Sequence, residues 1–319
     1  MVPSPAPSAT LIPTPSPLPP LTELGGLLRP LATGWHPAGE TAILQQPGGL
    51  DGSLLVAVPL DGTAPSGLPL VAFGQSVGWD VRPDGAAFAI ALATGLGSSR
   101  VAIWDAQTGG TRWVSPDEPG VLHSTPVWSA DGGAVYYAAL RPPEGAGIFR
   151  VPAAGGRPVR IRPPEGGGAQ LHGLTPDGRD LVWSRADARG STLVLDLESG
   201  ETRSFGEELS RPLAWRSDPP RALVVTGGCC AGRTGTLVVW DDLGDERRAI
   251  YGSDLTPQEA VGNADWSPDG RRIVATVYDT TISSEIARPL VTMNESAGER
   301  LTIEGTEGAG FVRWVRAGI

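Results

Sequence analysis

The stretch Trp266-Ser267-Pro268-Asp269-Gly270-Arg271-Arg272-Ile273 holds a large aromatic residue, a tight turn and the start of an apolar run. Proline presets φ for a turn, aspartate bonds the backbone just beyond it, and glycine accepts a positive φ. A turn of this kind between two apolar runs joins antiparallel strands. The same grammar recurs along the chain. It stands as Trp35-His36-Pro37-Ala38-Gly39, Val81-Arg82-Pro83-Asp84-Gly85 and Trp128-Ser129-Ala130-Asp131-Gly132. It continues as Leu174-Thr175-Pro176-Asp177-Gly178, Trp215-Arg216-Ser217-Asp218-Pro219 and Trp314-Val315-Arg316-Ala317-Gly318. Successive lead residues lie 46, 47, 46, 41, 51 and 48 positions apart. Near-constant spacing over seven occurrences marks a structural repeat.

Each unit supplies four short strands, here lettered a to d. Strand a ends at the lead residue. Strand b follows the turn, as in residues 86–92, 134–140, 180–186 and 272–278. Strand c covers 101–107, 147–153, 192–198 and 236–242, and strand d covers 111–115 and 157–162. Four antiparallel strands in 40–50 residues make a propeller blade. Blades bury both faces against neighbours, so runs such as Leu237-Val238-Val239-Trp240 show little polar alternation. The expected fold is therefore an all-β propeller of four-stranded antiparallel blades. Seven blades are favoured, with a degenerate closing blade built from N- and C-terminal strands; six is the alternative. Residues 310–316 would give the last inner strand, and segments near 9–12 and 24–32 its outer strands. The lead tryptophans are expected in the core, wedged between blades.

The motif W-S-P-D-G followed by a basic residue resembles that of the TolB-like, WD-repeat-like propellers of bacterial envelopes. It stands in full at Trp266–Ile273, and the likeness covers about residues 31–319. Val81 and Leu174 replace the tryptophan, and the first, fifth and last repeats depart from the motif. The resemblance implies an extracytoplasmic propeller (periplasmic, cell-surface or secreted) that binds a protein or peptide at its channel mouth.

Composition narrows the partner. Formal net charge is −10, which argues against nucleic acid, because phosphate binding needs clustered cations. All 25 basic residues are arginine. No apolar run is long enough to span a membrane. Residues 1–20 are a Pro/Ser/Thr/Ala tract, expected to be a disordered but extended linker ahead of a single domain at 21–319. Such a tract suits a tether to an upstream membrane anchor. A monomer is expected.

Strand direction alternates, so the a–b and c–d turns share one face, and these are short and uniform. The b–c and d–a loops share the other face and are longer and dissimilar. Function concentrates on variable loops held by a rigid scaffold. The candidate binding residues at the channel mouth on that face are Gln75, His123, Gln170, His172, Arg211 and Asn263. They hydrogen-bond and carry little net charge, which suits a peptide.

Chemistry is sparse. His36 sits in a turn on the opposite face. Cys229 and Cys230 are adjacent and could form a strained vicinal disulfide, two free thiols being the alternative. No cofactor, metal or catalytic group is expected. Oligogalacturonate lyases share the repeat class, which implies a second reading: a metal-dependent enzyme in which His123, His172 and Gln170 supply part of a ligand set. A third is a sensor domain of a larger membrane-anchored protein. The nucleophile elbow of prolyl-oligopeptidase-type hydrolases is absent from the sequence.

Overall fold

The structure, a computed structural model, describes residues 27–37, 39–47, 52–60, 67–165, 167–186, 192–205, 210–217, 220–226, 236–241, 246–251, 259–279, 289–296, 298–303, 306 and 310–316. The tail at 1–20 and the Cys229–Cys230 pair lie outside these residues.

The chain begins with β1 (Leu28–Pro30), β2 (Glu40–Pro47), β3 (Ser53–Pro59) and β4 (Leu68–Phe73). Blade I follows: β5 (Ser76–Val81), β6 (Ala87–Gly95), β7 (Ser98–Asp105) and β8 (Thr111–Trp113). Blade II holds β9 (Leu122–Trp128), β10 (Ala134–Arg141), β11 (Gly145–Pro152) and β12 (Val159–Glu165). Blade III holds β13 (Gly168–Leu174), β14 (Asp180–Ala186), β15 (Thr192–Asp196) and β16 (Thr202–Ser204). Blade IV holds β17 (Ser210–Ser217), β18 (Pro220–Thr226), β19 (Thr236–Asp241) and β20 (Glu246–Tyr251). Blade V holds β21 (Glu259–Trp266), β22 (Arg272–Asp279), β23 (Leu290–Asn294) and β24 (Leu301–Ile303). The last strand, β25 (Phe311–Arg316), pairs with β2 and becomes the inner strand of a sheet ordered β1-β4-β3-β2-β25.

That sheet is blade VI, so the described residues form six blades, the alternative count, and not seven. The seven motif occurrences overcount by one. Trp35 does not end an inner strand. The residues before it, β1, pair with β4 at the outer edge of the sheet. Trp314 ends the inner strand that β2 to β4 need. The first and last occurrences thus belong to one blade.

Among the described residues, six apolar clusters bind neighbouring blades, and one of them lies between VI and I. Strand alternation decides which residues go where. In β6, Phe88, Ile90 and Leu92 face blade VI, while Ala87, Ala89 and Ala91 face blade II. Large side chains on one face and alanines on the other let adjacent twisted sheets nest. Phe88 stacks on Trp104 at 5.1 Å between ring centroids, and both are fully buried.

The a–b turns explain the repeat motif. In three of them a hydroxyl next to the lead residue donates to the motif aspartate: Ser129 to Asp131, Thr175 to Asp177 and Ser267 to Asp269, at 2.6, 2.7 and 2.6 Å. The same hydroxyl accepts the backbone N–H of Ala134, Asp180 or Arg272 at the start of strand b. The glycine of each turn has φ near +70° (67°, 71° and 68°), a conformation L side chains rarely adopt. Hydrogen bonds to Ser129 and Gly133 hold the Asp131 carboxyl below its ordinary range, and those to Thr175 and Arg179 do the same for Asp177.

Candidate functional site

The six inner strands converge on an axial channel, and two cavities lined by described residues lie along it. The first, of about 370 Å³, is lined by turn residues Arg82, Pro83, Ala130, Thr175 and Pro176, and it opens on the face of the a–b turns. The second, of about 150 Å³, lies toward the opposite face, at the start of the inner strands. Val127, His172, Leu213 and Arg313 line both and form the waist between them.

The residue before each lead position sets the chemistry of the turn-side chamber. Around the ring these residues are Asp80, Val127, Gly173, Ala214, Asp265 and Arg313, and all six line it. Three consecutive blades, V, VI and I, therefore supply charges; the other three supply small apolar groups. Arg313 Nε donates to Asp80 Oδ1 at 3.1 Å. Asp80 Oδ2 accepts the Trp128 amide at 2.9 Å, tying blade I to blade II. Asp265 accepts its neighbour's amide at Trp266 (2.9 Å) and that of Trp314 (2.8 Å), tying blade V to blade VI.

Burial pushes the Asp265 carboxyl up to about 6, against the opposing pull of Arg313 and the two amides, and Asp80 adds to the rise. A carboxyl raised in the folded state stabilises the fold below its unfolded pKa near 4, and that contribution is lost as pH rises through about 6. Moving from pH 4 to pH 7 should thus cost the native chain on the order of 1–3 kcal/mol relative to Asp265→Asn, from the two-unit rise at about 1.4 kcal/mol per unit. Denaturant unfolding of both chains at the two pH values tests this; equal pH dependence would rule it out.

Pocket geometry sorts the sequence candidates. Gln170, His172 and Asn263 line the mouth cavity together with Gln45, Ser76, Thr125 and Arg313. Gln170 is exposed, His172 Nε2 lies 3.0 Å from Ser184 Oγ, and Asn263 Oδ1 accepts the Val312 amide at 3.3 Å. Gln75 is exposed just before β5 and does not line the cavity. Arg211 lies on β17, and its side chain is outside the described residues.

His123 is placed elsewhere. It is fully buried between blades I and II, its Nδ1 on the Ser99 carbonyl and its ring edge-on to Tyr137 at 5.5 Å. Burial holds its pKa below the ordinary value. It lines neither cavity, so the structure does not bring it together with His172. Among the described residues, no group of three or more His, Cys, Asp or Glu is placed to hold a metal ion.

Several mouth residues escaped the sequence reading. Val77 and Phe311 line the cavity and are 43% and 39% exposed, large for apolar side chains at a channel rim. Thr125 has φ of +43°, a strained value for a β-branched residue. Its Oγ1 accepts the Leu171 amide at 2.9 Å, and a Cβ on Gly78 would come 3.1 Å from the Thr125 Cα. Glycine at 78 is what allows the two inner strands this approach.

No protein-family model matches the chain, and no curated protein does. Solved structures do. TolB from Acinetobacter baumannii superposes with a TM-score of 0.64 at 16% identity, over 88% of this chain and 67% of that one. The fold is that of a TolB-like β-propeller. A protein assigned to TolB from Agrobacterium tumefaciens gives 0.58 at 14% identity, over 88% of this chain and 99% of that one. A chain of a nidogen/laminin complex gives 0.64 at 9% identity, over 88% of this chain and all (100%) of the other. At such identities the TolB-like likeness is one of fold. No helix among the described residues is long and apolar enough to cross a membrane.

Proposed function

We propose that this TolB-like propeller is a non-catalytic binding or scaffold module of an extracytoplasmic compartment, engaging a protein or peptide segment at the channel mouth. The observation that carries the reading is the lining of the mouth cavity. It combines exposed Val77 and Phe311 with the hydrogen-bonding groups of Gln45, Gln170, His172 and Asn263 and with Arg313, which is paired to Asp80, and among the described residues no carboxylate lines it. An apolar anchor beside hydrogen-bond donors and acceptors is the recognition chemistry of an extended peptide. The Pro-rich tract at 1–20 and the TolB likeness support an extracytoplasmic setting.

Photo-crosslinkers at Gln170 and Phe311, with controls at Leu68 and Val159 outside the channel, test the site in native envelope extract. One protein recovered by both mouth probes and by neither control is expected. Purified, it should bind with affinity lowered about tenfold or more, roughly 1.4 kcal/mol, by Phe311→Asp. A partner captured only outside the channel would retain the binding role and refute the mouth.

A further inference from the structure

We propose that the turn-side chamber is a separate binding site for an organic cation, a primary ammonium or guanidinium group seated against Asp265. Four charged side chains line it, Asp80 and Asp265 against Arg313 and Arg82, and Arg82 is already paired with Asp84 at the rim. Of the two guanidinium groups, that of Arg313 commits its Nε to Asp80, whose other oxygen holds the Trp128 amide. Asp265 accepts hydrogen bonds from backbone amides and feels Arg313 only through space; among the described residues no ion pair reaches it. Its raised pKa is the expected consequence of a carboxylate buried beyond what its neighbours compensate.

The chamber gives a cation access. Asp80 and Arg313 keep 15% and 20% of their side-chain surface, and Asp265 is partly exposed on the same cavity. Pro83 and Ala130, both exposed, mark its rim on the turn face. About 370 Å³ accommodates a side chain of lysine or arginine size. Leu213, Ala214, Gly173 and Val127 provide an uncharged wall for an aliphatic stem. Of the other charged or titratable groups facing it, Arg82 is held by Asp84 at 2.7 Å and His172 by Ser184. The chain has a formal net charge of −10 and no lysine, so its overall field draws cations and a primary side-chain ammonium must come from outside it. Asp265 does not line the mouth cavity, so this site stands or falls independently of the mouth.

Titrating the whole chain with n-butylammonium, n-butylguanidinium and butyrate, observed at the Asp265 carboxyl by carbon-13 NMR, tests the proposal. Saturable binding of the two cations is expected, with the Asp265 titration midpoint lowered by about one unit. Asp265→Asn should weaken the cations about tenfold or more. A glycine-rich pentapeptide with one central lysine distinguishes the source. Tighter binding than n-butylammonium supports a partner's side chain, and equal or weaker binding supports a small free amine. No saturable cation binding, binding of butyrate instead, or a native titration curve unmoved by the cations would overturn the site. That last result comes from the unsubstituted protein, so it holds even if the variant fails to fold.

Discussion

Deleting residues 310–319 should leave a chain without a cooperative unfolding transition at room temperature. The deletion removes β25, the inner strand of blade VI, and exposes the whole edge of β2 to solvent. It also takes away Val312, Trp314 and Val315, buried to 0%, 6% and 4% exposure. At about 1.5–3 kcal/mol for each buried side chain, the loss is roughly 5–9 kcal/mol before any backbone pairing is counted. Whole domains are stable by only about 5–15 kcal/mol. The damage spreads beyond blade VI, because Trp314 and Val312 pack with Val274 and Leu290 of blade V, and Arg313 holds Asp80 of blade I. Calorimetry is the direct measurement. A synthetic 310–319 peptide added in trans should restore a transition. A truncated chain melting within a few degrees of the native one would show that blade VI does not depend on its inner strand.

Strands b and c were legible because each is a short apolar run bounded by Gly-rich turns, as in Ala134–Arg141 and Thr236–Asp241. The blade count was not, because the count followed turns and not strands. Trp35 carries a turn like the others, yet among the described residues the chain before it supplies β1, three residues that pair at the outer edge. Whether an inner strand precedes a turn depends on residues far away in sequence, here on β25.

The candidate site shows the same division. Gln170, His172 and Asn263 could be placed near the axis from their position before a lead residue. His123 could not, since it lies five residues before Trp128 while His172 lies two before Leu174. Side chains alternate along a strand, and each inner strand from β9 to β21 carries a register shift. The two histidines therefore point differently: one into a blade interface, the other into the channel. The charged ring of Asp80, Asp265 and Arg313 was visible only by comparing one column across all repeats. Any one of these residues, taken alone, reads as an ordinary charge beside a turn.

Trp266→Ala should destabilise the fold by about 3–5 kcal/mol, and Trp35→Ala by only about 1–2 kcal/mol. Trp266 is 4% exposed and sits among Leu213, Leu223 and Val225 of blade IV and Ile273 of its own blade. The Arg216 guanidinium lies over its ring, 4.8 Å from the centroid. Truncation would open a void at an interface that twisted sheets cannot close by collapsing. Trp35 is only partly buried, follows the outermost strand of blade VI, and meets Phe88 at 6.1 Å. Its neighbours can close over the gap, and solvent already reaches the ring. In a seven-bladed arrangement both tryptophans would end inner strands, and the two substitutions would cost alike. Urea unfolding of the two variants with unchanged slope separates the cases. A Trp35→Ala cost matching that of Trp266→Ala would mean that the first motif occurrence does wedge between blades, and the six-blade assignment of the N-terminal strands would have to be redrawn.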